Sequence, residues 1–158
     1  MTRLSASTIA NAPSGVRLPD YDHSRITPGI VHLGIGAFHR AHMAVYVDDL
    51  LKDNPDWAIV GASLRRPDTK EALEPQDGIY TVAIRDAEGT HPRIIGSILK
   101  VLDANTEREE LLALMASPQI RIVSLTVTEK GYCHDPATGE LDQRHPDIVH
   151  DLANPAAP

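Results

Sequence analysis

The stretch "GIVHLGIGAFHRAH", residues 29–42, constrains the fold more than any other part of the sequence. Its β-rich, mostly apolar beginning predicts a short buried strand over 30–33. The apolar spacing that follows predicts a helix over 38–52. Gly34 and Gly36 stand between these two elements. A strand, a glycine turn and a helix in this order are typical of an α/β domain that binds a nucleotide.

The glycine turn taken by itself leaves two interpretations open. In a dinucleotide-binding turn, one glycine permits a sharp exit from the strand, a second lets the backbone approach the pyrophosphate, and a third lets helix and strand pack closely. Gly34 and Gly36 meet the first two demands, but His39 occupies the third place. With His39 there, either helix and strand separate slightly or the side chain points outward. We expect the outward orientation, in which His39 donates to a phosphate and Arg40 is also within reach. The alternative is a tight turn that binds no ligand.

Charge and cysteine content exclude several classes of partner. Lys and Arg number 15 against 22 Asp and Glu, a formal net charge of −7. This balance argues against binding to nucleic acid or to an anionic membrane surface. No apolar run reaches the roughly 20 residues that span a bilayer. The single cysteine, Cys133, rules out an internal disulfide and suits a reducing compartment, so we expect a cytoplasmic protein.

The rest of the chain predicts further alternation of strands and helices. Residues 1–28 are interpreted as an extended lead-in, whose Ser/Thr-rich start fits an unstructured leader or a transit peptide. The predicted elements that follow are a strand over 57–64, a short helix over 68–74, β-rich runs over 78–86 and 92–102, a helix over 107–116 and a strand over 120–127.

Three of these elements carry more detailed predictions. The two β-rich runs predict a hairpin or two neighbouring strands. Thr106 and Glu109 have the spacing of a capping box at the start of the helix over 107–116. The β-rich run over 120–127 is predicted to be a central strand, whereas the polar remainder predicts turns. Together the elements predict an α/β fold with a mostly parallel sheet and helices on both faces.

The segment "IVHLGIGAFHRAHMAVYVDDL", residues 30–50, resembles the signature of the mannitol dehydrogenase family, the long-chain polyol and sugar-acid dehydrogenases. The resemblance continues through "WAIVGASLR", "QDGIYTV", "SLTVTEKGY" and "HPDIVHDL" and so covers most of the chain. In this family the histidine at the third position belongs to the pattern. The resemblance therefore implies a Rossmann-like, NAD(P)-binding domain and favours the nucleotide interpretation of the turn.

The resemblance also implies an activity. The family interconverts a secondary alcohol and a ketone with NAD(P) and without zinc, on a polyol or sugar acid such as fructuronate/mannonate or fructose/mannitol. The stretch over 63–82 favours the fructuronate/mannonate pair. The family's catalytic lysine lies in a second, helical domain, and no residue of this sequence matches it. We therefore expect an incomplete Rossmann-like domain over 29–158, the N-terminal part of a larger two-domain oxidoreductase, inactive when isolated. The alternative is a non-catalytic nucleotide-binding module or a truncated inactive fragment.

Residues beyond the turn are also candidates for holding the cofactor. Arg65 and Asp68 follow the second strand, where an acid binds the ribose 2′-hydroxyl and an arginine accepts a 2′-phosphate. They predict NAD with NADP tolerated, or else a charged surface loop. The candidate cofactor-binding residues are Gly34, Ile35, Gly36, Ala37, Phe38, His39, Arg40, Arg65, Asp68, Val127, Thr128 and Glu129.

The last three candidates follow the strand over 120–127 and are expected to line the nicotinamide end. A Glu129 of raised pKa would relay protons there, and a helix N-cap or a solvent-facing acid is the alternative. We assign no catalytic or metal-binding residue. His32 and His42 are interpreted as structural histidines, and the pair Asp48-Asp49 as a solvated or N-terminally paired helix face. A zinc-dependent dehydrogenase is a further alternative, although the spacing of Cys133 and the nearby histidines matches no zinc site.

Overall fold

The structure, a computed structural model, describes residues 3–156, with the side chains of Glu129 and Lys130 outside the described part. The chain divides into two compact units, Met1–Thr126 and Val127–Pro158. The first unit contains six strands: β1 (Pro28–Leu33), β2 (Ala58–Ser63), β3 (Tyr80–Asp86), β4 (Gly89–Ile95), β5 (Ile98–Asp103) and β6 (Ile122–Leu125). Its helices are α1 (Ala37–Ala41), α2 (Met43–Leu50), α3 (Asp68–Leu73) and α4 (Arg108–Met115).

The main sheet of the first unit has four parallel strands in the order β5-β2-β1-β6. In chain order these are the third, second, first and fourth strands of the sheet, as in a dinucleotide-binding fold. The order reverses between β1 and β6. At such a switch point, the crevice outside the carboxyl ends of the strands is the usual ligand site.

Helices cover both faces of this sheet. Neighbouring residues of a strand point to opposite faces, and Ile30 packs in a core with Ala44 and Leu51, at and just after α2. Val31 packs instead in a second core with Leu111 of α4. The predicted mostly parallel α/β sheet with helices on both faces is therefore confirmed.

A separate antiparallel hairpin pairs β3 with β4. The predicted hairpin is confirmed, but the run over 92–102 is not one strand, because β4 ends at Ile95 and β5 begins at Ile98 in the parallel sheet. Two buried hydrogen bonds hold the crossing between the sheets. The Gly96 N–H donates to Asp48 Oδ1 at 2.9 Å, and the Ser97 hydroxyl donates to the Ala44 carbonyl at 2.7 Å.

The predicted helix over 38–52 is two helices. The backbone leaves helical geometry at His42, with φ −125° and ψ −85°, between α1 and α2. The His42 Nδ1 donates to the Phe38 carbonyl at 2.8 Å, and the two rings stack with centroids 4.4 Å apart. The first helix after the glycine turn is consequently only five residues long.

A buried ion pair joins α2 to the hairpin. Asp48 is only 2% exposed and accepts hydrogen bonds from the Arg93 guanidinium at 2.8 Å and from the Tyr21 hydroxyl at 2.5 Å, in addition to the Gly96 amide. The interpretation of Asp48 as part of a solvated face is wrong. The neighbouring Asp49 does remain 40% exposed while it contacts the same arginine at 2.8 Å.

Two expectations about the second half of the first unit need correction. The helix at 107–116 forms as α4, but without the capping box, because the Thr106 hydroxyl donates to Asp103 Oδ2 at 3.1 Å instead. The Glu107 carboxylate accepts the Asp103 N–H at 2.7 Å. The strand over 120–127 is the shorter β6, and it lies at one edge of the described sheet rather than at its centre.

The lead-in and the second unit are more ordered than their composition predicts. Arg17 pairs with β4, since its N–H donates to the Pro92 carbonyl at 3.0 Å and its carbonyl accepts the Ile94 N–H at 2.8 Å. The second unit contains helix α5 (Pro146–Ala153), where the sequence predicted only turns. Among the described residues, no helix is both long and apolar enough to cross a membrane.

Candidate functional site

The glycine turn lies where β1 ends, at the switch point of the sheet. Gly34 has φ +85°, in the left-handed region that favours glycine. The N–H groups of Gly34 and Ile35 donate to the Ala62 carbonyl of β2 at 2.9 and 3.3 Å. The Gly36 N–H donates to the Gly34 carbonyl at 2.7 Å. The amides of the turn itself are therefore already paired, and they attach the turn to β2.

The next three amides differ, because they have no acceptor in the part of the chain that the structure describes. They belong to Ala37, Phe38 and His39, and the first helical bond runs from the Arg40 N–H to the Gly36 carbonyl at 3.1 Å. Gly36 is the N-cap residue and has no side chain with which to cap them. Free N–H groups at the beginning of a helix carry partial positive charge and favour anions. We call these three amides, with Gly36, the corner.

Gly36 leaves open space in front of the corner. Its φ of −76° and ψ of −178° suit any residue, and its backbone is exposed. A Cβ built on Gly36 would meet only the Gly34 carbonyl oxygen, 3.8 Å away. The fold therefore requires a glycine at position 34 but not at position 36. An unfilled space beside free amides matches the role of the second glycine in a dinucleotide-binding turn, where the backbone must approach a pyrophosphate.

The close approach of turn and sheet depends on a different glycine. Ile35 is 2% exposed, and its side chain packs directly on Gly61 of β2. A Cβ at Gly61 would come within 2.7 Å of two carbon atoms of Ile35. Ile35 thus fixes the turn by packing, and its side chain faces the core of the domain.

The outward orientation expected of His39 is wrong. The side chain is 2% exposed and its ring stacks on that of His32, with centroids 3.6 Å apart and an interplanar angle of 19°. His32 shares hydrogen bonds with the hydroxyls of Ser124 at 2.9 Å and Thr126 at 3.0 Å, which confirms it as a structural histidine. Neither ring nitrogen of His39 has a partner in the described part of the chain. Only the backbone amide of His39 is available at the corner.

The histidine stack predicts a pH dependence of stability. Burial lowers the pKa of His39 to about 3, with further contributions from His32 and Arg40. The unfolded chain takes up a proton near the ordinary pKa of roughly 6.5. Between these values the unfolded state binds more protons, so stability present above pH 6.5 is lost as the pH falls towards 3. We expect the free energy of unfolding to fall by about 2 kcal/mol between pH 6.5 and pH 5.

Urea denaturation at several pH values measures this dependence. His39→Phe keeps an aromatic ring on His32 and should reduce the slope. The slope that remains comes in part from His32, whose pKa burial also lowers. His91→Gln, a change at an exposed histidine of the hairpin, is the matched control and should leave the slope as in the wild type. An equal slope in wild type and His39→Phe would contradict the assignment.

A cleft of about 490 Å³ opens beside the corner, between α1, α3 and β3. Arg40 lines the cleft, and its Nη1 donates to the Ile35 carbonyl at 2.8 Å and to the Thr69 hydroxyl at 3.4 Å. The Tyr80 hydroxyl donates to the Arg40 carbonyl at 2.6 Å. Asp68 begins α3 and also lines the cleft. Thr69 and Tyr80 have no signal in the sequence, because only the fold brings them to Arg40.

The remaining candidates lie at differing positions. Arg65 is exposed after β2, and Asp68 forms an exposed ion pair of 3.2 Å with Arg66. Val127 and Thr128 begin the second unit, and a role for them at a cofactor stays a prediction. So does the proton relay by Glu129, whose side chain lies outside the described residues. Among the side chains that the structure describes, which leaves out Glu129, no group of three or more His, Cys, Asp or Glu could hold a metal ion.

Comparison with known proteins adds independent evidence. The family profile of the mannitol dehydrogenase Rossmann domain matches residues 28–156. Mannitol 2-dehydrogenase of Cereibacter sphaeroides is 50% identical over 147 residues, which cover 90% of this chain and 31% of the relative. D-mannonate oxidoreductase of Escherichia coli strain K12 is 48% identical over 157 residues, which cover 96% of this chain and 32% of the relative.

A solved structure shows the same relation. Mannitol 2-dehydrogenase of Pseudomonas fluorescens, in a ternary complex with NAD and D-mannitol, superposes with a TM-score of 0.82 at 41% identity. The match covers 98% of this chain and 32% of that structure. The chain thus spans about a third of the length of the relatives that it matches. By its sequence and its fold, the chain belongs to the mannitol dehydrogenase family, and residues 28–156 match the Rossmann domain of that family.

Proposed function

We propose that the corner binds the diphosphate of NAD. The observation that carries this proposal is the set of three free amides at Ala37, Phe38 and His39, which face an open space at Gly36. A diphosphate supplies the anionic acceptors that these amides lack, and Gly36 leaves room for its approach. The paired amides of Gly34 and Ile35 would not contact the phosphate, so their part is to hold the turn on β2.

The cleft beside the corner would receive the adenosine ribose. Asp68 offers a carboxylate to the ribose hydroxyls, as acids after the second strand do in dinucleotide-binding folds. The same carboxylate would repel the 2′-phosphate of NADP, whereas Arg65 would attract it. Because Asp68 lines the cleft and Arg65 does not, we propose a preference for NAD. Val127, Thr128 and Glu129 would line the nicotinamide end.

We further propose that the protein is the dinucleotide-binding part of an oxidoreductase that interconverts a secondary alcohol and a ketone on a polyol or sugar acid. The names of the relatives support this class, since they are a mannitol 2-dehydrogenase and a D-mannonate oxidoreductase. The stretch over 63–82 favours fructuronate/mannonate over fructose/mannitol. Bound NAD would supply the hydride acceptor, and the residues of this chain would hold and orient it.

Titration with NADH and NADPH, followed by cofactor fluorescence, tests this proposal. We expect the wild type to bind NADH more tightly than NADPH. Asp68→Ala should weaken NADH binding about tenfold, because it removes a charged hydrogen-bond acceptor. The difference between the NADH and NADPH affinities should therefore become smaller. Asp53→Ala, which removes an exposed acid just after α2, is the control and should bind as the wild type. A wild type that binds neither cofactor would contradict the proposed function.

A further inference from the structure

A hydrogen bond from the Tyr80 hydroxyl connects the hairpin to α1, the helix that follows the glycine turn. Tyr80 is the first residue of β3, and its hydroxyl donates to the Arg40 carbonyl at 2.6 Å. The side chain is half-buried, and burial raises the pKa of Tyr80, so the hydroxyl remains protonated and able to donate. The hairpin therefore contacts the element that carries the corner, although its strands are not part of the main sheet.

The Arg40 carbonyl, which accepts the hydrogen bond from Tyr80, lies in the last turn of α1. Helix α1 has five residues and ends at Ala41, where the chain breaks at His42. A helix this short has little stability of its own, since nucleation fixes several residues for few hydrogen bonds. Three of its five residues contribute the free amides of the corner. Any shift of its last turn would consequently move those amides.

Arg40 connects this carbonyl to the rest of the site. Its guanidinium donates to the Ile35 carbonyl in the glycine turn and to the Thr69 hydroxyl, next to Asp68. One residue therefore joins the turn, the start of α3 and, through its own carbonyl, β3. The Tyr80 contact fixes the backbone from which this side chain extends.

We propose that Tyr80 is a positioning residue for the dinucleotide site: its hydroxyl holds α1 at the break before α2 and so sets the place of the corner amides and of Arg40. This inference rests on the proposed function, because that function supplies the ligand, NAD. The contact between Tyr80 and Arg40 does not depend on it. Tyr80 does not have to touch the cofactor, because it acts through the backbone of Arg40.

Tyr80→Phe tests the inference by two measurements on the same protein. It removes one hydrogen bond and keeps the ring, so NADH binding should weaken about tenfold. Hydrogen exchange of the Arg40 and His42 amides, measured by NMR without cofactor, should become at least about fivefold faster. Exchange of Val31 in β1 should stay as in the wild type.

Tyr21→Phe is the matched control, because it removes a tyrosine hydroxyl that donates to Asp48 of α2 and not to α1. We expect it to lower the melting temperature and to leave NADH affinity unchanged. A loss of affinity in Tyr80→Phe would then result from the position of α1 and not from lower stability. NADH affinity or α1 exchange that is unchanged in Tyr80→Phe would overturn the inference. If the wild type binds no NADH, the proposed function fails, and the exchange data alone decide whether Tyr80 holds α1.

Discussion

Replacement of Asp48 by alanine is expected to lower the free energy of unfolding by about 3 kcal/mol, because a buried Arg93 would lose its main partner. Asp48 is 2% exposed and Arg93 9%. The change also leaves the Tyr21 hydroxyl and the Gly96 amide without their acceptor, because both donate to the Asp48 carboxylate. Urea denaturation monitored by circular dichroism at neutral pH measures the loss.

The neighbouring carboxylate provides a control with the same partner. Asp49 also contacts Arg93, but it is 40% exposed and remains solvated. Exposed ion pairs contribute only about 0–1 kcal/mol, so Asp49→Ala should cost less than a third as much as Asp48→Ala. Equal losses in the two variants would contradict the larger stabilising role of the buried Asp48.

Gly36→Val is expected to reduce NADH affinity at least about a hundredfold while leaving the fold intact. The backbone of Gly36 suits a branched residue, and a Cβ there meets no protein atom closer than 3.8 Å. The valine would instead fill the space that the diphosphate needs beside the free amides. Cofactor fluorescence measures the affinity, and a thermal melt of the same sample measures the fold.

Two further variants serve as controls for the effect of Gly36→Val on NADH affinity. Gly34→Ala should destabilise the protein, since φ at this position is +85° and alanine is strained there. Ala87→Val, at the exposed turn of the hairpin, should change neither stability nor affinity. A Gly36→Val protein that melts like the wild type and also binds NADH like it would contradict the proposed site.

The main architecture was predictable because it depends on local patterns. The apolar runs at 30–33 and 57–64 and the glycine turn predict β1, the turn and β2 with small errors at the ends. Helix α5 also had a signal, since Pro146 and Asp147 at its start are typical of a helix N-terminus. The turn-rich composition around that segment obscured it.

Features that depend on distant contacts were not predictable from the sequence. The buried orientation of His39 requires the ring of His32 on β1, and the burial of Asp48 requires Arg93 on β4. The spacing of apolar residues in α1 and α2 does not indicate that His32 or Arg93 will be a neighbour. The break at His42 belongs to the same class, because a long apolar stripe over 38–52 resembles one continuous helix.

The most direct test of the corner is NMR mapping of backbone amides during titration of the wild type with NADH. We expect the largest shifts at Ala37, Phe38 and His39, where amides with no acceptor in the described part of the chain would gain a phosphate oxygen. Arg121, whose N–H donates to the Gly29 carbonyl at the opposite end of the strands, should not shift. Saturable binding of NADH that leaves the three corner amides unshifted would contradict a diphosphate site at the corner.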